Sequence, residues 1–275
     1  MTKPLQLPPS PHPDSTEHAA AHAFYRRGLL TLIDHHVPFL VGGAYALERY
    51  TEIVRRTKDI DIFVYPRDCE RVLQLLASAG YRTDLTFPHW LGKAFSGDHF
   101  IDVIFNSGNG ICRVDDEWFN HAIEDKVLDI PVRLCPPEEL ILSKAFIGER
   151  ERYDGADIAH ILRARSAQIA WPRLLQRFDE HWRVLLSHLI LFGFIYPAER
   201  TQVPAWVLRD LLYRLQQELC EAPADERLCQ GTLLSRAQYL VDILHWGYQD
   251  ARLPPKGTMT KEEIDHWTAA IDENT

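Results

Sequence analysis

The chain has 275 residues, 46% hydrophobic and 25% charged, the balance of a soluble globular protein with room for one large domain or two modest ones. Thirty basic against thirty-nine acidic side chains leave a formal charge of -9, which argues against a general coater of nucleic acid but allows a local basic cleft for a nucleotide or an RNA end. No apolar run approaches the ~20 residues that span a bilayer. The five cysteines are scattered without a CxxC pair, so reduced thiols in the cytoplasm are expected rather than a disulfide framework.

In chain order, residues 1–14 hold five prolines and have neither the basic start nor the apolar core of a secretory signal; a disordered leader is expected there. Apolar residues at helical spacing predict a first helix over Ser15–His36, ended by Pro38. Phe39-Leu40-Val41 reads as a short buried strand running into Gly42-Gly43, with a helix over Ala44–Tyr50 directly after it. Alternation predicts a strand over Ile60–Tyr65, followed by a helix from Pro66 to Ala79. Further strands are expected at Phe100–Phe105 and at Val127–Leu134, the latter at a sheet edge because it contains Pro131. Helices are expected over Pro137–Arg150 and Asp154–Ala164. From Trp171 onward the chain reads as almost wholly helical, with a loop at Pro254–Gly257 before a last short helix. The predicted fold class is therefore α+β: a mixed-sheet core flanked by helices over residues 15–165, then a mostly helical region over 166–275.

Asp59 and Asp61 are two residues apart on a predicted strand, so both point to one face, roughly 7 Å apart at the backbone. Asp102, from a second apolar strand, supplies a third carboxylate if the two strands are neighbours. An oxygen-rich cluster of this kind suits Mg²⁺ or Mn²⁺ rather than zinc. Without a cation the acids would repel one another and raise each other's pKa. A bare Asp-x-Asp is otherwise a solvated strand face. Gly42-Gly43 adds backbone N–H groups at a helix start, where a phosphate can sit. The thirteen histidines read as surface or packing residues.

Phe39-Leu-Val-Gly-Gly43, Asp59-Ile-Asp61-Ile-Phe and Ile101-Asp102-Val-Ile-Phe105 together resemble the polymerase-beta-like nucleotidyltransferase superfamily over roughly residues 25–165. Within it, Arg55-x-Thr57-x-Asp59-Ile-Asp61 looks like the branch containing abortive-infection toxins. The resemblance implies a metal-dependent enzyme that moves a nucleoside monophosphate from a nucleoside triphosphate (NTP) such as ATP to an acceptor hydroxyl, on an RNA end, a protein or a small molecule. It implies Asp59, Asp61 and Asp102 as catalytic metal ligands and Gly42, Gly43, Arg55, Thr57 and Lys144 as nucleotide-binding residues, with Asp157 organising the site. Arg55, Arg56 and Lys58 either clamp phosphates or form a solvated basic face. The toxin branch would add an antitoxin partner. The chain departs from many members in having Gly43 where they carry serine, and in a fifteen-residue gap before Asp59. A catalytically inactive nucleotide-binding or regulatory protein of the same fold is the alternative, and an interaction protein working through its C-terminal helices is a third reading.

Overall fold

Short apolar runs form the middle of a seven-stranded mixed sheet. The structure, a computed structural model, describes residues 15–55, 57–222 and 227–270. The leader expected over residues 1–14, and Arg56, lie outside the described residues. The chain opens with α1 (Ser15–Asp34), β1 (Leu40–Val41), α2 (Gly43–Thr51), β2 (Asp59–Phe63) and α3 (Cys69–Ser78). It continues through β3 (Arg82–Phe87), β4 (Leu91–Ser96), β5 (His99–Ile104), α4 (Asp116–Asn120), β6 (Ile123–Val127) and β7 (Ile130–Leu134). The sheet order is β3-β4-β5-β2-β1-β7-β6, with β2 parallel to β5 and β1 parallel to β7.

Alternation decides the two faces of the central strands. Ile60, Ile62, Ile101 and Val103 are fully buried on the side covered by α1 and α3, and α1 lies so close that a Cβ at Gly28 would meet Ile101 Cδ1 at 2.4 Å. The opposite face carries Asp59, Asp61 and Asp102, all half-buried.

Two sequence expectations for this sheet are corrected. Val127–Leu134 is not one edge strand: Leu128 and Asp129, at φ 52° and 60°, turn the chain between β6 and β7. Positive φ at both central residues gives the twist a two-residue hairpin needs. The edge is β6, and β7 tolerates Pro131 because two-residue β1 pairs with it only at Leu134. The hairpin of β3 and β4 was not expected, since β3 is largely exposed and shows no clean alternation.

The helices follow: α5 (Pro137–Ala145), α6 (Gly155–Arg165), α7 (Trp171–Phe178), α8 (Trp182–Ile195) and α9 (Ala205–Glu218). The helix expected to reach Arg150 stops at Ala145, and the chain folds back through a bridge between Gly148 and Tyr153. Buried Arg173 on α7 donates to Glu138 at 2.9 Å and to Glu139, both on α5, and Arg177 also pairs with Glu139. One contiguous apolar core runs from α1 to α9, taking in Leu29, Ile62, Leu140, Phe178, Leu185 and Leu211. The remainder holds β8 (Leu228–Cys229), α10 (Leu240–Leu244), β9 (Gln249–Asp250) and α11 (Lys261–Ala269), with β8 and β9 paired in parallel. No helix among the described residues is long and apolar enough to cross a membrane.

Candidate active site

Parallel register sets Asp61 directly beside Asp102, and alternation puts Asp59 on the same face one step earlier. Carboxylate oxygens from the three lie within 4.8 Å of one another. Burial pushes the Asp61 carboxyl up to about 7, with Asp102 and Asp59 adding repulsion and Lys144 and Arg152 working against it. Asp102 is likewise raised by burial, partly offset by Lys93. Oxygens this close, with Asp61 and Asp102 resisting ionisation, fit a divalent cation: a hard cation prefers such donors, and its charge would relieve the strain.

The glycine pair is required by this cluster. Gly42 N–H donates to the Asp61 carbonyl at 2.9 Å, and a Cβ at position 42 would lie 2.1 Å from the Phe63 ring. Gly43 sits at φ +53°, and a Cβ there would fall 1.5 Å from Asp61 Oδ2. A serine at position 43 would strike the carboxylate, which gives the departure from the superfamily pattern a local cause. α2 begins at Gly43 with no side-chain cap and no acidic residue in its first turn, so its N-terminal end adds positive potential beside the acids.

The remaining expected residues fall into two groups. The Thr57 hydroxyl donates to Asp59 Oδ1, so it orients a carboxylate. Lys144, Arg55 and Asp157 meet in a second cluster: Lys144 Nζ lies 2.7 Å from Asp157 Oδ2 and 3.0 Å from Asp154 Oδ2, and Arg55 pairs with Asp157. Arg152 joins it through two hydrogen bonds to Asp154, at 3.0 and 2.9 Å. Burial raises the Asp154 carboxyl, but the bonds from Arg152 and Lys144 outweigh it and leave the pKa below the usual value. The charge of Arg152 also reaches Asp61, Asp59 and Asp102, which places this basic cluster next to the acidic one.

Two neighbours of the acids were missed in the sequence. Lys93 on β4 stands across from Asp102 in the sheet register, and its Nζ lies 2.8 Å from Asp102 Oδ1. The available signal was alternation through Leu91-Gly-Lys-Ala-Phe95. Arg152 lies beyond the helix expected over Pro137–Arg150, and the fold-back between Gly148 and Tyr153 brings it to the site.

Residues 27–192, more than half of the chain, match the profile of a family described as uncharacterised nucleotidyltransferase. Among solved structures, the antibiotic-resistance factor ANT(2'')-Ia aligns over 62% of this chain and 97% of its own, at 16% identity and a TM-score of 0.43. The lincomycin-bound lincosamide antibiotic adenylyltransferase LnuA aligns over 51% of this chain and 94% of its own, at 16% identity and a TM-score of 0.37. JHP933 from Helicobacter pylori aligns over 75% and 98%, at 11% identity and a TM-score of 0.39. No curated protein sequence matches the chain.

Proposed function

Because the chain belongs to the uncharacterised nucleotidyltransferase family, we propose that it transfers a nucleoside monophosphate from an NTP to an acceptor hydroxyl and releases pyrophosphate. The observation that carries this reading is the meeting of three carboxylates within 4.8 Å beside a helix start opened by two glycines. Asp59, Asp61 and Asp102 would hold Mg²⁺ or Mn²⁺, which when bound supplies charge that shields the phosphates and stabilises the attacking and leaving oxygens.

The protein's own groups do the rest. Backbone N–H groups at the start of α2 cradle phosphate oxygens. Lys144, Arg55 and Arg152 provide cations, with Asp157 and Asp154 holding them in place. Thr57 fixes the orientation of Asp59. The acceptor oxygen bonds to the α-phosphorus as the bond from that phosphorus to the pyrophosphate oxygen breaks. The acceptor proton passes to Asp102, and the bonding pair leaves with pyrophosphate. Residues 15–165 form the transferase unit in this reading, and the helical region 166–275 shapes the acceptor side. The cytoplasm, which supplies NTPs and keeps the five free cysteines reduced, is the setting. A toxin role with an antitoxin partner would show as growth arrest on regulated expression that Asp59→Asn relieves.

A second reading, nucleotide binding without turnover, draws on Lys93, which occupies an oxygen of Asp102 that a cation would need. Labelled ATP, GTP, CTP and UTP, incubated with Mn²⁺ and cell extracts, separate the two. Transfer of label with pyrophosphate release supports the enzyme; binding without release supports the alternative.

A further inference from the structure

The register of the sheet lines up four charged residues in one row across the face that carries the acids. Asp84 on β3 stands opposite Lys93 on β4, Lys93 opposite Asp102 on β5, and Asp102 beside Asp61 on β2. Residues opposite one another in antiparallel strands share a face, with Cβ atoms about 4.5–5.5 Å apart. Lys93 therefore stands between two acids, Asp102 on the side of the site and Asp84 on the side of the sheet edge. Its flexible four-carbon stem can deliver the ammonium to either.

The ammonium rests on Asp102. Lys93 Nζ lies 2.8 Å from Asp102 Oδ1 and 4.1 Å from the centre of the Phe100 ring, and the two side chains are only 20% and 13% exposed. Asp84 is exposed, and its Oδ2 accepts from Thr86 Oγ1 at 3.0 Å. A carboxylate with one hydroxyl donor keeps lone pairs for a second.

Charge decides which partner suits each state of the site. The acidic and basic clusters bring together Asp59, Asp61, Asp102, Asp154 and Asp157 with Lys93, Lys144, Arg55 and Arg152. With all of them ionised a single net negative charge remains, a weak attraction for a lone divalent cation that must also face the ammonium on Asp102. A triphosphate adds several negative charges and reverses that balance. Stranding a lysine in a half-buried site would be costly, and Asp84 gives it a partner outside.

We propose that Lys93 is a two-position counter-ion. It rests on Asp102 while the site is empty, and it crosses to Asp84 as the carboxylates take up a divalent cation together with a triphosphate. The inference rests on the nucleotidyltransferase reading above and adds a control on it: the site refuses the cation until the nucleotide arrives.

Mn²⁺ alone, and the Mn²⁺ complex of a non-hydrolysable ATP analogue, are titrated into the full chain by calorimetry. Lys93→Met keeps the length of the stem and removes the charge. It is expected to bind Mn²⁺ alone about tenfold more tightly than wild type, with a much smaller change for the complex. Asp84→Asn removes the outer partner at an exposed position. It should weaken binding of the complex about two- to fivefold with an unchanged melt, and it tests the crossing even where Lys93→Met fails to fold. Lys93→Met that binds Mn²⁺ alone no more tightly than wild type overturns the block. Asp84→Asn with wild-type affinity for the complex overturns the crossing. In both cases binding of the complex to wild type leaves the transferase reading standing. No binding of Mn²⁺ to wild type or Lys93→Met, alone or as the complex, overturns that reading and the counter-ion with it.

Discussion

Asp61 is charged at pH 8 against its surroundings, since burial, Asp102 and Asp59 together raise its carboxyl to about 7. A folded pKa above the unfolded value means that ionisation costs stability, fully so above the folded pKa. In chelated protein at pH 8, Asp61→Asn is therefore expected to raise the Tm while abolishing transfer; a lower Tm would show that the carboxylate is structurally satisfied without a cation. Asp59→Asn is expected to cut transfer by more than about 100-fold, beyond the range typical of groups outside the ligand set, with an unchanged melt. Its amide oxygen can still accept from Thr57. Gly43→Ala is strained twice, by φ +53° and by a Cβ 1.5 Å from Asp61 Oδ2. A loss of about 1–3 kcal/mol together with loss of Mn²⁺ binding is expected by calorimetry, and a variant that still binds Mn²⁺ would separate the glycine from the acids. The spacing of Asp59 and Asp61 was legible because strand alternation is local. Lys93 was not, because only the pairing of β4 with β5 brings it to Asp102.

Among the elements, the basic cluster alters what is expected of Lys144. Its ammonium links Asp154 on the loop before α6 with Asp157 inside α6, and both acids are buried. Lys144→Ala should weaken ATP binding, and it should also destabilise the fold by leaving two acids to Arg55 and Arg152 alone. Lys144→Arg, which keeps the charge, should restore stability more fully than ATP affinity; equal recovery of both would make Lys144 purely structural. The tie between α5 and α7 is harsher. Arg173→Ala leaves Glu138 and Glu139 buried, with Glu139 sharing only Arg177, and is expected to cost about 3–5 kcal/mol. Denaturant unfolding measures it, and a change below about 1 kcal/mol would mean the pair is hydrated. Apolar runs made β1, β2 and β5 readable in the sequence, and Pro and Gly marked the starts of α2 and α5. The hairpin of β6 and β7 was read as one strand because Leu128 is an unusual residue for positive φ and no glycine marks the turn, although Asp129 suits it.

At the scale of the whole molecule, His188, held neutral by burial, and Asp61, whose carboxyl is raised, make opposite contributions to pH dependence. His188 donates Nε2–H to the Ala145 carbonyl at 3.0 Å, and burial lowers its pKa below 6.5. As pH falls below 6.5 the unfolded chain takes up a proton that folded His188 does not, so this group destabilises the fold on acidification. Asp61 acts in reverse, because folding favours its protonated form. The informative quantity is therefore the difference between wild type and His188→Gln: the fall in Tm from pH 7.5 to 5.5 should be smaller in the variant, and an equal fall would remove His188 from the account. The fold class was readable from composition and the order of elements. The placement of residues 227–270 was not, because its hydrogen bonds to Asn109 and Glu149 join positions more than eighty residues apart. The proposed transferase stands on one physical event, the filling of the acid cluster by cations. Anomalous scattering from crystals grown with Mn²⁺ and a non-hydrolysable ATP analogue measures it most directly. The account predicts Mn²⁺ density bounded by the carboxylates of Asp59, Asp61 and Asp102, with Lys93 displaced from Asp102 Oδ1. Bound nucleotide with no Mn²⁺ among those oxygens, and Lys93 still in place, would contradict it.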